Sequence, residues 1–183
     1  MARPPPVTSV LAQRRPCVVL GVSSPPPAWH KESPSAIALA DLAGIEVERL
    51  GSNFALDNLL PLPNPSRTAL REAGELYVFE EKFWYIVVGT ETVRALGKRV
   101  LPLKTTRSTN GRVSWSMSGR GIEPFSWYET REGVVMSVVP HPSGNNPWYN
   151  DQEKRKKAEK FLRDACWTRR DSAHTAWVKA RAR

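Results

Sequence analysis

Apolar positions along this chain follow two periods. Short, nearly continuous apolar runs occur at Cys17-Val18-Val19-Leu20-Gly21-Val22, from Phe54 to Pro61, at Phe83-Trp84-Tyr85-Ile86-Val87-Val88-Gly89 and from Val134 to Val139. Such runs suit strands buried on both faces of a parallel sheet. Between them the apolar residues fall at helical spacing. Ser33 is placed to cap a helix with Pro34 at its first turn, running through Ala36, Ile37, Leu39, Ala40 and Leu42 and stopping at Gly44. Asn64-Pro65 opens a second helix, expected from Pro65 to about Glu80, and Thr90 to Leu96 forms a short third one ended by Gly97. A charged helix from Gln152 to Cys166 has Asn150 as its expected cap and Glu153 three residues on, in the manner of a capping box. Ala158, Phe161, Leu162 and Ala165 make its buried stripe. Phe125 to Glu129 either pairs with Val134–Val139 as a hairpin around Arg131-Glu132-Gly133 or stands as an edge strand.

Strands alternating with helices predict a three-layer α/β/α sandwich around a mainly parallel, four-stranded sheet. One domain, residues 17–168, is expected. A flexible Pro/Arg-rich arm, 1–16, precedes it, and a frayed basic tail, 169–183, follows it. Leu101 to Pro124 shows little periodicity and reads as a basic surface loop carrying Lys104, Arg107, Arg112 and Arg120.

Charge narrows the set of partners. The chain of 183 residues carries a net charge of +9. From Asp151 onward there are 11 Lys/Arg and 5 Asp/Glu, so six of those nine charges lie in the last 33 residues. Clustered positive charge favours polyanions through release of phosphate counterions; a solvated helix face has the same composition. Lys154, Arg155, Lys156 and Lys157 oppose the dipole at the start of the last helix, a conflict a bound phosphate would relieve. Two cysteines, Cys17 and Cys166, make neither a disulfide framework nor a metal-ligand spacing, so no metal or cofactor is expected. With no long apolar span and no secretory leader pattern, the reading is a cytoplasmic, reducing location, no membrane partner and a monomer.

The chemistry concentrates after the last strand, in Pro140-His141-Pro142-Ser143-Gly144-Asn145-Asn146-Pro147-Trp148-Tyr149-Asn150-Asp151. Two prolines restrict the backbone around His141 and hold its imidazole at the C-terminal end of a buried strand. Open α/β sheets bind ligands at that edge. His-Pro-Ser after an apolar strand resembles the final active-site motif of the uracil-DNA glycosylase superfamily. The extended motif resembles a branch of it found in bacteria and phages. The similarity spans roughly Val18 to Ala165. It implies the same sandwich fold, a DNA partner and chemistry at a nucleobase. Asn58, in Leu56-Asp57-Asn58-Leu59-Leu60-Pro61, resembles the asparagine that reads the base edge in that superfamily, and Val87-Val88-Gly89 its third, structural strand. The first loop, Gly21-Val22-Ser23-Ser24-Pro25, keeps the family's Gly and Pro but has no carboxylate to position the attacking water. Asp57 should face away from Asn58, because successive strand side chains alternate. Glu32 and Asp41 are the other possible substitutes.

Breaking an N-glycosidic bond leaves negative charge on the base, and a donor aimed at the base oxygen stabilises it. His141 is the candidate for that role. An asparagine amide offers both a donor and an acceptor to an imide edge, so Asn58 is the candidate reader. Gly21, Ser23, Ser24 and Trp29 from the first loop, and Ser143, Asn145, Asn146 and Trp148 from the last, are the candidate substrate contacts, with Trp148 as a wedge into the base stack. Lys154 to Lys157 are the candidate contacts to the nucleic-acid backbone. The leading expectation is an enzyme cleaving or modifying at a nucleobase N-glycosidic bond in DNA. A non-catalytic nucleic-acid-binding module and a small-molecule nucleoside or nucleotide enzyme are the alternatives.

Overall fold

The computed structural model describes residues 15–23, 29–103, 122–143, 146–167 and 172–182. Five strands form one sheet: β1 (Cys17–Ser23), β2 (Ala55–Leu60), β3 (Trp84–Val88), β4 (Tyr128–Glu129) and β5 (Val135–Val139), in the order β2-β1-β3-β5-β4. The four apolar runs are the parallel strands. The fifth strand, β4, adds an antiparallel edge: Tyr128 and Glu129 pair with Met136 and Val135 through the turn at Gly133. The expected four-stranded sheet is thus corrected to five, with the hairpin reduced to two residues on its outer side.

Helices cover both faces. On one face α1 (Pro34–Ala43) and α4 (Gln152–Ala165) pack with Cys17, Val19, Ile86 and Val88. On the other α2 (Arg67–Leu76), α3 (Gly89–Leu96) and α5 (Ala173–Arg181) pack with Val18, Leu20, Tyr85 and Val87. Alternate residues of each strand serve opposite cores, which is why these runs are apolar throughout. None of the described helices is long and apolar enough to cross a membrane.

Local signals set α1 closely. Ser33 accepts from the Ala36 amide, and Gly44, at φ 69°, ends the helix in the left-handed region. Three other boundaries differ from the expectation, and of these the end of α2 is decided by a distant residue. The second helix starts at Arg67 on a Ser66 cap and stops at Leu76, short of the expected Glu80. Arg99 donates to the carbonyls of Gly74, Glu75 and Tyr77, satisfying the helix end there. Tyr77 and Phe79 then turn inward against Tyr85. The cap of α4 is Asp151, one residue beyond Asn150. Its carboxylate accepts from the Glu153 and Lys154 amides, while Asn150 closes a 3₁₀ turn begun at Pro147.

The expected frayed tail is also corrected. Ala173–Arg181 is helical, capped by Ser172, and it closes the outer side of β2. Trp177 is 3 % exposed and meets Phe83 and Tyr85 edge-on, with ring centroids 5.1 and 6.1 Å away. The Arg181 guanidinium stacks over the Trp177 and Tyr77 rings. The domain therefore extends past 168. The short segments Val47–Arg49 and Leu50–Asn53, for which no helix was expected, lead into β2 and receive α5.

Candidate functional site

Strand order reverses at β1, where the chain leaves for β2 on one side and returns to β3 on the other. That switch point is where such sheets open a crevice at their C-terminal edge. A cleft of about 380 Å³ lies there, lined by Gly21, Trp29, Asn58, Gly89, Glu91 and His141 among others. Its size falls within the roughly 300–1,000 Å³ of small-ligand sites.

Register explains how Asn58 reaches it. Gly21 and Asn58 are direct neighbours across the β1–β2 pair. A Cβ on Gly21 would lie 2.5 Å from Asn58 Oδ1 and 3.1 Å from the Trp29 ring. Only glycine leaves room for both side chains. Asn58 Nδ2 is buried and has no hydrogen-bond partner among the described residues. Leaving such a donor unpaired costs about 1–3 kcal/mol, which a ligand carbonyl in the cleft would offset. Asp57 faces the other way, as strand alternation requires: its carboxylate accepts from the Tyr77 hydroxyl at 2.8 Å.

Trp29 forms a wall of the cleft. It is 9 % exposed, and its indole N–H donates to the Asp57 carbonyl at 3.3 Å. Its backbone sits at φ 56°, an unusual conformation for an aromatic residue, held by these contacts.

His141 stands exposed at the rim, beyond the end of β5. Val88 and Val139 are paired in register, so the β3 exit and the His141 loop leave the sheet side by side. Gly89, at φ 81°, makes the strand-to-helix turn against the imidazole; a Cβ there would lie 3.3 Å from the His141 Cβ. Partial desolvation of the ring lowers the His141 pKa from its ordinary value of 6.5, so the neutral imidazole prevails at pH 7.

The loop after His141 is tied to itself. Asn146 donates to the His141 carbonyl at 3.0 Å and accepts from the Trp148 amide, and Ser143 N–H also donates to the His141 carbonyl. Ser143 and Asn146 thus build the turn and do not line the cleft. Trp148 packs on Phe125, with centroids 4.9 Å apart, and on Tyr149; it does not line the cleft either. Ser23 ends β1. Ser24 and Asn145 lie outside the described residues, as do Lys104, Arg107, Arg112 and Arg120.

The cations at the start of α4 are largely engaged. Arg155 binds Asp41 at 2.6 Å and Glu159 at 3.0 Å, Lys157 pairs with Glu123, and Lys154 lies 3.7 Å from Asp151. Lys156 is exposed. The dipole conflict read from the sequence is met by the Asp151 carboxylate at the cap. Asp41 is held by Arg155, and Glu32 lies beside His30; neither lines the cleft.

Ser33, Ser35, Thr90 and Glu91 line the cleft, although the sequence pointed to none of them as a site residue. They sit at or near helix starts, and a short helix start carries no signal of which concavity it faces. Beyond Glu91 a second concavity opens between α2 and α3, lined by Arg67, Arg71 and Arg94. No group of metal-ligating side chains occurs among the described residues.

Gly21→Ala isolates the Asn58 geometry. The added methyl displaces the Asn58 amide, because a side-chain end moves more readily than the packed strand. The expected result is a loss of about tenfold or more in affinity for a ligand that takes the Asn58 hydrogen bond, the worth of one such bond. Calorimetric titration checks it, with the unfolding midpoint as the control for gross damage.

No protein-family model, no curated protein and no solved structure matches this chain.

Proposed function

We propose that this chain recognises a nucleobase in DNA and cleaves its N-glycosidic bond, in the manner that its resemblance to the uracil-DNA glycosylase superfamily implies. The observation that carries this reading is the meeting of Asn58 and His141 in one cleft, with a buried amide donor that has no partner among the described residues. A flat heterocycle would enter between Trp29 and the β3 exit. Its carbonyl would accept from Asn58 Nδ2. The neutral His141 ring would donate to the base oxygen on which charge develops as the bond breaks.

The arginine-lined concavity between α2 and α3 shares Glu91 with the cleft and supports a phosphate-bearing substrate, with Arg71 3.8 Å from Glu75 and Arg94 paired to Glu91. Trp148 is engaged with Phe125 and Tyr149, so the wedge role is not what its packing favours. This points to single-stranded DNA, where the base needs no extraction from a duplex. A second reading, base binding without cleavage, is favoured by the β1 loop, which brings no carboxylate.

The test is release of free base from labelled oligonucleotides carrying uracil or modified pyrimidines, single- and double-stranded. Release from single strands at a faster rate than from duplexes is expected. Tight, salt-sensitive binding with no release across the panel would leave the binding module in place of the enzyme.

A further inference from the structure

The β1 loop of this chain lacks the carboxylate that a hydrolytic reading requires, yet one carboxylate does line the cleft. Among the described residues it is Glu91 alone. Of the residues outside the described ones, 1–14, 24–28, 104–121, 144–145, 168–171 and 183, Asp171 alone carries a carboxylate. Asp57 is turned to Tyr77, Asp41 to Arg155, and Glu32 lies beside His30; none of the three lines the cleft.

We infer that Glu91 positions and deprotonates the attacking water, taking over from α3 the task that the first loop cannot perform. The inference rests on the base-cleaving reading above. Three features place Glu91 for it. It lies in the first turn of α3, two residues after Gly89, whose backbone packs on the His141 ring. Arg94, one turn on, pairs with it and restrains its side chain. The residue also stands where the base cleft meets the arginine-lined concavity between α2 and α3. A sugar joining a base in the first to a phosphate in the second would pass beside it.

The step balances as a hydrolysis. The water oxygen forms a bond to the anomeric carbon of the sugar, and its proton goes to the Glu91 carboxylate. The bond from that carbon to the base nitrogen breaks, and its electron pair leaves with the base. His141 stabilises the resulting anion, which takes a proton from solvent on release. A general base of this kind contributes typically about 10²–10⁴-fold in rate.

The experiment compares wild type, Glu91→Gln and Glu91→Ala on a single-stranded oligonucleotide carrying one deoxyuridine, or the best-cleaved base of the panel. Binding is followed by fluorescence anisotropy, base release under single-turnover conditions. The expected result is a fall of about 100-fold or more in the release rate of both variants, with binding changed by less than threefold. Sodium azide, added as a small nucleophile that needs no base, is expected to restore base release in Glu91→Ala and yield the glycosyl azide. A merely structural role would not produce that product. Release by Glu91→Gln within threefold of wild type overturns the Glu91 assignment and leaves the base-cleaving reading standing. Absence of release by the wild-type protein overturns both.

Discussion

His141→Ala is expected, on the proposed base-cleaving function, to lower the rate of base release by about 10²–10³-fold, the usual worth of one donor aimed at a developing oxyanion. Binding of the base should change little, because the hydrogen bond strengthens only as charge moves onto the base oxygen. The pH profile follows from the state of the ring. Desolvation lowers its pKa below 6.5 and favours the neutral form in the folded protein. The rate constant is therefore expected to be level around neutrality and to change only below pH 6.5, as the ring takes up a proton. The same shift acts on stability. The native state resists protonation more than the unfolded chain, so this contribution is complete above the unfolded value and is lost as pH falls through the depressed one. A wild-type profile whose inflection persists unchanged in His141→Ala would remove His141 from the chemistry.

Trp177→Ala is the substitution expected to cost most stability, about 3–5 kcal/mol for a large buried aromatic. Against a typical total of about 5–15 kcal/mol this is a large share. The unfolding midpoint should drop on the order of 10 °C for a domain of this size. The reason lies in position. Trp177 is nearly fully buried, meets Phe83 and Tyr85 edge-on and carries Arg181 over its face. Trp177→Phe keeps part of that contact and should lose clearly less. Thermal unfolding of both variants decides the matter. A shift under 2 °C for Trp177→Ala would mean that α5 is not part of the cooperative unit.

These two predictions separate the parts of the chain by how far their causes lie. His141 was legible because its position follows from neighbours: an apolar strand before it and a proline on either side. The same holds for α1, where a serine cap, a proline and a left-handed glycine all lie within twelve residues. Trp177 was not legible, because a basic stretch with one tryptophan looks alike whether it frays or packs. Only the presence of Phe83 and Tyr85 beneath it makes the difference. The end of α2 has the same character, since the groups that satisfy its last carbonyls belong to Arg99.

The amino-acid pattern by itself determined the four parallel strands and, with them, the placement of Asn58 and His141 at one edge. Parallel strands bring their C-terminal ends together whatever the loops do, so residues at those ends are gathered by topology. The tertiary structure alone decided which polar groups share the cavity. Glu91 lines it and Asp41 does not, Ser33 lines it and Ser143 does not, and Trp148 turns to Phe125. Those outcomes depend on the rotation of helix starts and on contacts between residues far apart in the chain, and neither leaves a mark on local periodicity.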